Sequence, residues 1–244
     1  MNSKPLSGLS VVIPVFNEEE NIIGLFTKLN EFSLEAKKAN LLHQFTLVDG
    51  CSTDNTAEVI AIELMNYPLI NAKLLRMNAR RGYGYDILEG LKFSIYDTFA
   101  WTHADLQTDL HDLFTGYQII NASLEPCVVK GRRINRTFGE NFFTFGMQVF
   151  TYCYLKEYLD DINAQPKMLR ASFFDDHLNN KSPHDFSLDL FFLLQAKKND
   201  LPIKSFDVSF SPRIAGIAKG GGGSWINRLN LIRRTIRYIM ARKD

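Results

Sequence analysis

Cysteine is scarce: Cys51, Cys127 and Cys153 stand far apart in a chain of 244 residues. So few thiols at such spacing exclude a disulfide framework and a cysteine-based zinc site, and they fit a reducing compartment. Long apolar runs are missing too. The uncharged stretch from Phe142 to Leu155 falls short of the roughly 20 residues a bilayer span requires. The opening MNSKPLSG lacks the apolar core of a secretory signal, and the hydrophobic run behind it breaks at Pro14. The expectation is a cytoplasmic chain. The formal net charge is only +1, and no nucleic-acid partner is expected.

The charge that is present is unevenly placed. From Arg213 to Asp244 there are eight Lys/Arg against one Asp, which points to an anionic partner for that end. Within residues 224–242, Trp225, Leu229, Ile232, Ile236 and Ile239 recur at helical steps and make one apolar stripe. Arg228 and Arg233 flank the stripe, and Arg234 and Arg237 fall opposite it. Such a helix suits either a membrane interface or the flank of a core. The expectation combines the two: the stripe docks on the domain and the arginines face anionic lipid, making the protein peripheral on the inner face of the plasma membrane.

Length and composition suffice for one large globular domain. Strand and helix patterns alternate through it. LSVVIPV, FTLVD, AKLLRM, TFAWTH and CVVKG read as strands. The stretches from Glu18, Ser52, Gly82 and Leu110 read as helices, with Ile22, Phe26, Leu29 and Phe32 at helical spacing and Ser52 or Thr53 as the cap of the second. Regular alternation predicts parallel βαβ units with helices on both faces of the sheet, and ligands of such sheets bind at the carboxyl ends of strands. Three informative segments fall at those ends: PVFNEEEN, VDGCSTDNT and THADLQTD. Gly82 and Gly84 precede a helix as in a dinucleotide fingerprint. Ile87 stands where the third glycine belongs, and the segment follows the third strand, which sets a dehydrogenase aside.

VVIPVFNE, LVDGCSTDNT, NARRGYGYDILEGL, HADLQTD, VVKGRR and SPRIAGIAKGGGGSW occur in that order along nearly the whole chain. As a set they resemble the inverting family 2 glycosyltransferases of GT-A fold, in particular the polyprenol-phosphate (dolichol-phosphate) mannose synthase branch. The resemblance implies an α/β fold with a mostly parallel mixed sheet, in a single domain over residues 1–244. It implies transfer of a hexose from a UDP- or GDP-linked sugar, with a divalent metal, Mn or Mg. By the same resemblance, Pro14, Phe16, Glu18 and Asp49 hold base and ribose, and Asp105 and Gln107 hold the metal. Arg133, Arg213 and Lys219 meet diphosphate or lipid phosphate. Arg80 and Arg81 lie near the donor, either as contacts or as surface charges.

The sequence departs from the family pattern in places. Gly50 stands where a second carboxylate is usual after the second strand, and Ala218 where Ser is usual. His103 stands where the metal motif usually opens with Asp. Residues 103, 105 and 107 would point the same way in an extended stretch, and imidazole suits Mn²⁺ better than Mg²⁺. His103 is then a metal ligand or a group beside the metal, the alternative being a histidine that merely packs or hydrogen bonds there. Asp161, with Gln165, and Asp189 fall on the acceptor side; the alternatives are a helix cap for Asp161 and an exposed helix position for Asp189. A polyprenyl phosphate acceptor is already anionic and needs no strong base, whereas a sugar hydroxyl needs a carboxylate such as Asp161 or Asp189. Glycan synthesis on a sugar hydroxyl, a degenerate nucleotide-sugar-binding protein and a membrane scaffold are the competing functions.

Overall fold

The computed structural model describes residues 6–134, 152, 159–179 and 182–211. β1 (Leu6–Val15) is followed by α1 (Glu19–Lys38), β2 (His43–Asp49), α2 (Thr56–Asn66), β3 (Ala72–Arg76) and α3 (Tyr83–Lys92). Next come β4 (Tyr96–Trp101), α4 (Asp112–Ala122), β5 (Val128–Ile134) and β6 (Lys167–Arg170). A short helical stretch over 171–178, α5 (Leu188–Lys198) and β7 (Ile203–Ser209) complete the described order.

The strands form one mixed sheet in the order β3-β2-β1-β4-β6-β5-β7. Only β6 runs against its neighbours; the other pairs are parallel. Side chains alternate across β1, so Leu9, Val11, Ile13 and Val15 pack with α1, α2 and α4, while Val12 packs with α3 and α5. Burial on both faces is why β1 reads as a nearly unbroken apolar run. α1 buries Ile22, Leu25, Phe26, Leu29, Phe32 and Ala36 and has no side-chain cap. At about 1.5–3 kcal/mol for each large side chain removed from water, packing rather than capping holds it.

The helix after β2 starts later than expected. Ser52 and Thr53 do not cap it: Asn55 occupies the cap position, and Asp54 Oδ1 accepts from the Thr56 N–H at 3.0 Å from just outside the helix. Ser52 and Thr53 instead tie their loop to Asn17. The Asn17 N–H donates to Ser52 Oγ at 2.9 Å, and the Thr53 N–H donates to Asn17 Oδ1 at 2.8 Å.

Sheet order places the site. From β1 the chain winds outward through β2 and β3, then returns to add β4 on the other side of β1. That reversal opens a crevice at the carboxyl ends of β1 and β4. Because β6 is antiparallel, its first residue, Lys167, pairs with Trp101 at the end of β4 and brings Gln165 to the same end.

Candidate active site

One wall of the crevice is built from the ends of β1 and β2. Pro14 pairs with Val48 and Val15 with Asp49, so Phe16–Glu18 and Gly50–Asp54 emerge side by side. Asn17 and Cys51 both turn through left-handed backbone, with φ of 52° and 67°. Asp49 is buried; its Oδ1 accepts from the Ser52 N–H at 2.9 Å, and its Oδ2 lies 3.7 Å from Arg76 Nε. Glu18 Oε2 accepts from Asn21 Nδ2 at 2.6 Å, and the Glu18 N–H donates to Thr56 Oγ1 at 2.8 Å. The Arg80 guanidinium lies over the Phe16 ring, 3.7 Å from its centroid. Arg81 instead covers Tyr85 and donates to its hydroxyl at 3.2 Å.

The opposite wall follows β4, and here the expected extended run over residues 103–107 is wrong. The segment bends, with Leu106 at φ 58°, because Leu106 turns into the core formed with α1. His103 and Asp105 still meet: His103 Nδ1 lies 3.9 Å from Asp105 Oδ2. Gln107 is turned toward the end of β7, where its Nε2 donates to the Ser211 carbonyl at 3.1 Å and its own carbonyl accepts from the Ser211 N–H at 2.9 Å.

Behind His103 lies a buried polar cluster. His103 Nε2 is 3.1 Å from Tyr83 Oη. Turned so that its NH₂ donates to the Trp101 carbonyl at 3.1 Å, the Gln165 amide accepts from Tyr83 Oη at 3.1 Å and from Lys167 Nζ at 3.3 Å. Burial, and next the Asp189 charge, push the Tyr83 phenol well above its ordinary range and keep it a donor. With Tyr83 donating to Gln165, His103 donates to Tyr83 Oη through Nε2, and Nδ1 is the nitrogen that faces Asp105. Asp189 is no exposed helix residue. It is buried, paired with Lys167 Nζ at 3.0 Å, and accepts from Trp101 Nε1 at 3.2 Å. Burial pushes the Lys167 ammonium down, and the Asp189 carboxylate works against that shift.

Asp161 is not a helix cap. It sits in a turn at φ 32°, its carboxylate gripped by the Arg133 guanidinium and by the Arg133 N–H at 2.9 Å. Lys130 supports the same turn from below, donating to the carbonyls of Gly131 at 3.0 Å and Asp161 at 3.3 Å, and burial lowers its pKa to about 8. Arg213 and Lys219 lie outside the described residues, as does the segment 224–242.

Sequence reasoning missed Tyr83, Asp86, Trp101, Lys130 and Lys167. Lys130 did carry a signal, a lone cation inside the apolar strand CVVKG, whereas the carboxylate that pairs with Lys167, Asp189, lies 22 residues further on. The GYG motif has a structural cause. Gly82 adopts φ 118°, and a Cβ on Gly84 would fall 2.5 Å from the Pro183 carbonyl oxygen and 2.7 Å from that of Asp185. The backbone of 183–185 thus presses on the start of α3, where Tyr83 stacks on Phe186 with centroids 4.6 Å apart. Gly84→Ala is expected to destabilise the fold by about 1–3 kcal/mol, the usual cost of overpacking. Thermal denaturation measures this, and an unchanged Tm would contradict it.

Residues 10–174 match the family model described as Glycosyl transferase family 2. A dolichyl-phosphate beta-glucosyltransferase of Dictyostelium discoideum is 23% identical over 231 residues, covering 86% of this chain and 69% of that protein. A dolichol-phosphate mannosyltransferase of Pyrococcus furiosus is 31% identical over 99 residues, 41% of this chain and 26% of the relative. Among solved structures, glucosyl-3-phosphoglycerate synthase of Mycobacterium tuberculosis, in complex with Mn²⁺, UDP and glucosyl-3-phosphoglycerate, superposes with a TM-score of 0.73. It is 12% identical, over 97% of this chain and 80% of that one. S. aureus TarS in complex with UDP-GlcNAc gives 0.62 at 18% identity, over 97% and 67%. With two thirds of its length matched and a sheet of GT-A form, the chain belongs to glycosyl transferase family 2, and its relatives include polyprenol-phosphate sugar transferases.

Proposed function

We propose that this glycosyltransferase moves a hexose, with inversion, from a nucleoside-diphosphate sugar to a polyprenyl phosphate, as one domain spanning the chain. The observation that carries the choice of acceptor is the state of two carboxylates. Asp161 is held by Arg133 and Asp189 by Lys167, so neither stands as an open base for a sugar hydroxyl. A phosphate acceptor brings its own negative oxygen and needs none. Two relatives named for dolichyl or dolichol phosphate support the same class of acceptor.

On the donor side, Phe16 and Asp49 line one wall as the base and ribose contacts, with Pro14 and Glu18 shaping the turn between them. Arg80 extends that surface, and Arg133 stands nearer the acceptor side. The donor set also fits a divalent cation. His103 and Asp105 would hold it, their Nδ1 and Oδ2 lying 3.9 Å apart, with His103 oriented through its other nitrogen as ligand imidazoles are. Among the described residues no group of three or more His, Cys, Asp or Glu is arranged to hold a metal. The diphosphate would therefore supply much of the remaining shell. A mixed nitrogen and oxygen set favours Mn²⁺ over Mg²⁺, and solved structures of the same fold hold Mn²⁺ with UDP. When bound, the cation offsets the negative charge that develops on the leaving diphosphate.

No described helix is long and apolar enough to cross a membrane. Attachment through the basic stretch 224–242 would bring the crevice to a lipid-borne acceptor without a span.

A thermal-shift series with UDP- and GDP-hexoses, with and without Mn²⁺, tests the donor. At a hundredfold excess over Kd, native-state binding adds about 2.7 kcal/mol, and the rise in Tm is expected to need the metal. No shift with any of these donors would overturn the proposal. Where a donor binds, sugar transfer to dolichyl phosphate but not to a free sugar is the expected acceptor result.

A further inference from the structure

The wall behind Phe16 is assembled in an uncommon way. Residue 50 has no side chain, and a Cβ there would lie 2.4 Å from Asp86 Oδ2 and 2.6 Å from Arg80 Nη1. The volume at the tip of β2 is therefore filled by α3 and the connection before it. Arg80 Nη1 donates to Asp86 Oδ2 at 3.3 Å while its guanidinium lies on Phe16. The Arg80 side chain is 39% exposed, the Asp86 side chain 2%. Asp86 Oδ1 is buried and meets no hydrogen-bond donor among the described residues. A native fold rarely keeps a buried oxygen in that state without a functional reason.

We infer that Asp86 is a positioning residue of the nucleobase site: it reaches in from α3, where Gly50 leaves room, and holds the Arg80 guanidinium flat on Phe16 as a platform for the base. The inference rests on the donor reading above. A guanidinium fixed on an aromatic ring offers a planar face for stacking and in-plane N–H donors for a base edge. An untethered arginine has many rotamers, and ordering it during binding weakens affinity.

The tether depends on pH. Burial raises the Asp86 carboxyl to about 7; Arg80 pulls it down and Asp49 pushes it up. These are the charged groups that face it: Arg80 from the β3–α3 connection and Asp49 from β2. Asp49 in turn has Arg76 of β3 at 3.7 Å, and Gly50 contributes no group. Above pH 7 the carboxylate is ionised and holds Arg80; below it the hold weakens, so nucleotide affinity should rise from pH 6 to pH 8. Stability runs the other way. A carboxyl whose folded pKa lies above its unfolded value stabilises at low pH, and that contribution is lost as pH rises through 7. Asp86→Asn should therefore be more thermostable than the parent at pH 8, with the advantage shrinking toward pH 4.

Calorimetric titration of parent and Asp86→Asn with UDP and with GDP, Mn²⁺ present, at pH 6, 7 and 8, tests the inference. The variant should bind about fivefold more weakly at pH 8, the scale of a partly exposed ion pair, and lose the parent's pH slope. Gly50 has no left-handed backbone requirement, so Asp86→Ala combined with Gly50→Asp, which returns a carboxylate to the same volume, should recover most of the affinity lost in Asp86→Ala alone. Parent-like affinity of Asp86→Asn at every pH overturns the inference and leaves the donor reading standing. Loss of stability at every pH marks Asp86 as structural and overturns it too. A parent that binds neither UDP nor GDP overturns the donor reading and the inference together.

Discussion

Asp105→Asn is expected to cut turnover by about a hundred- to a thousandfold, the usual effect of removing one preorganised electrostatic group at a reacting centre. The substitution keeps shape and most local bonding. Asp105 Oδ1 accepts from the Gln107 N–H at 3.2 Å, and an asparagine oxygen does the same. What it removes is the negative charge beside His103 Nδ1. Tm should stay within about 2 °C of the parent, since a shape-conserving polar change outside the apolar core rarely exceeds about 0.5 kcal/mol. Steady-state transfer and Mn²⁺ titration read the effect, and undiminished turnover would defeat the metal assignment. His103→Asp is the companion variant. It should retain activity and shift metal preference toward Mg²⁺, because it replaces a nitrogen donor by a hard oxygen. Loss of activity in that variant would show that the imidazole contact with Tyr83 matters in its own right.

Asp189→Ala is expected to cost about 3–5 kcal/mol of stability, the scale found when one half of a buried ion pair is removed. For a chain of this size that lowers Tm by roughly 10 °C. Lys167 is fully buried, and without Asp189 its ammonium loses the carboxylate that lies 3.0 Å away. The pH dependence gives the mechanism away. Lys167 has a folded pKa below its ordinary value, so the unfolded chain binds the proton more tightly and stability climbs with pH across that window. The deficit of Asp189→Ala should shrink as pH rises and the stranded amine becomes neutral. Lys167→Met combined with Asp189→Leu should regain most of the loss, since apolar replacement of both partners is often neutral. A deficit that ignores pH would mean that lost packing, not a stranded charge, sets the cost.

Those two residues also show where sequence reading succeeds and where it stops. β1, β2 and β4 were legible because strands buried on both faces are rich in apolar residues, and α1 because Ile22, Phe26, Leu29 and Phe32 keep helical spacing. The ends of β1, β2 and β4 do lie at one edge of the sheet, where Phe16, Asp49, His103 and Asp105 stand. β6 was not legible: of Lys167–Arg170 only Met168 and Leu169 are apolar, and its two charged ends are accommodated by Asp189, Asp97 and Thr98 from other elements. The extended reading of 103–107 failed for a local reason, Leu106 taking a left-handed turn to reach the core. Asp161 and Asp189 looked like open acids because their cationic partners, Arg133 and Lys167, lie 28 and 22 residues away.

The antiparallel strand has a consequence for how the protein is made. β5 leaves the ribosome before β6, yet its sheet partners among the described strands are β6 and β7. For some thirty residues of synthesis the strand Val128–Ile134 has no edge to join, while β1 to β4 can already close on one another. Local parallel units that form early and a distant strand that must slot between β4 and β5 impose an order on assembly, and non-local pairing of this kind is slow. Synthesis therefore supplies the wall with Phe16 and Asp49 well before Lys167 and Asp189. A nascent chain halted before residue 167 would carry half a crevice and an exposed strand edge, the kind of species that chaperones shield and aggregation claims.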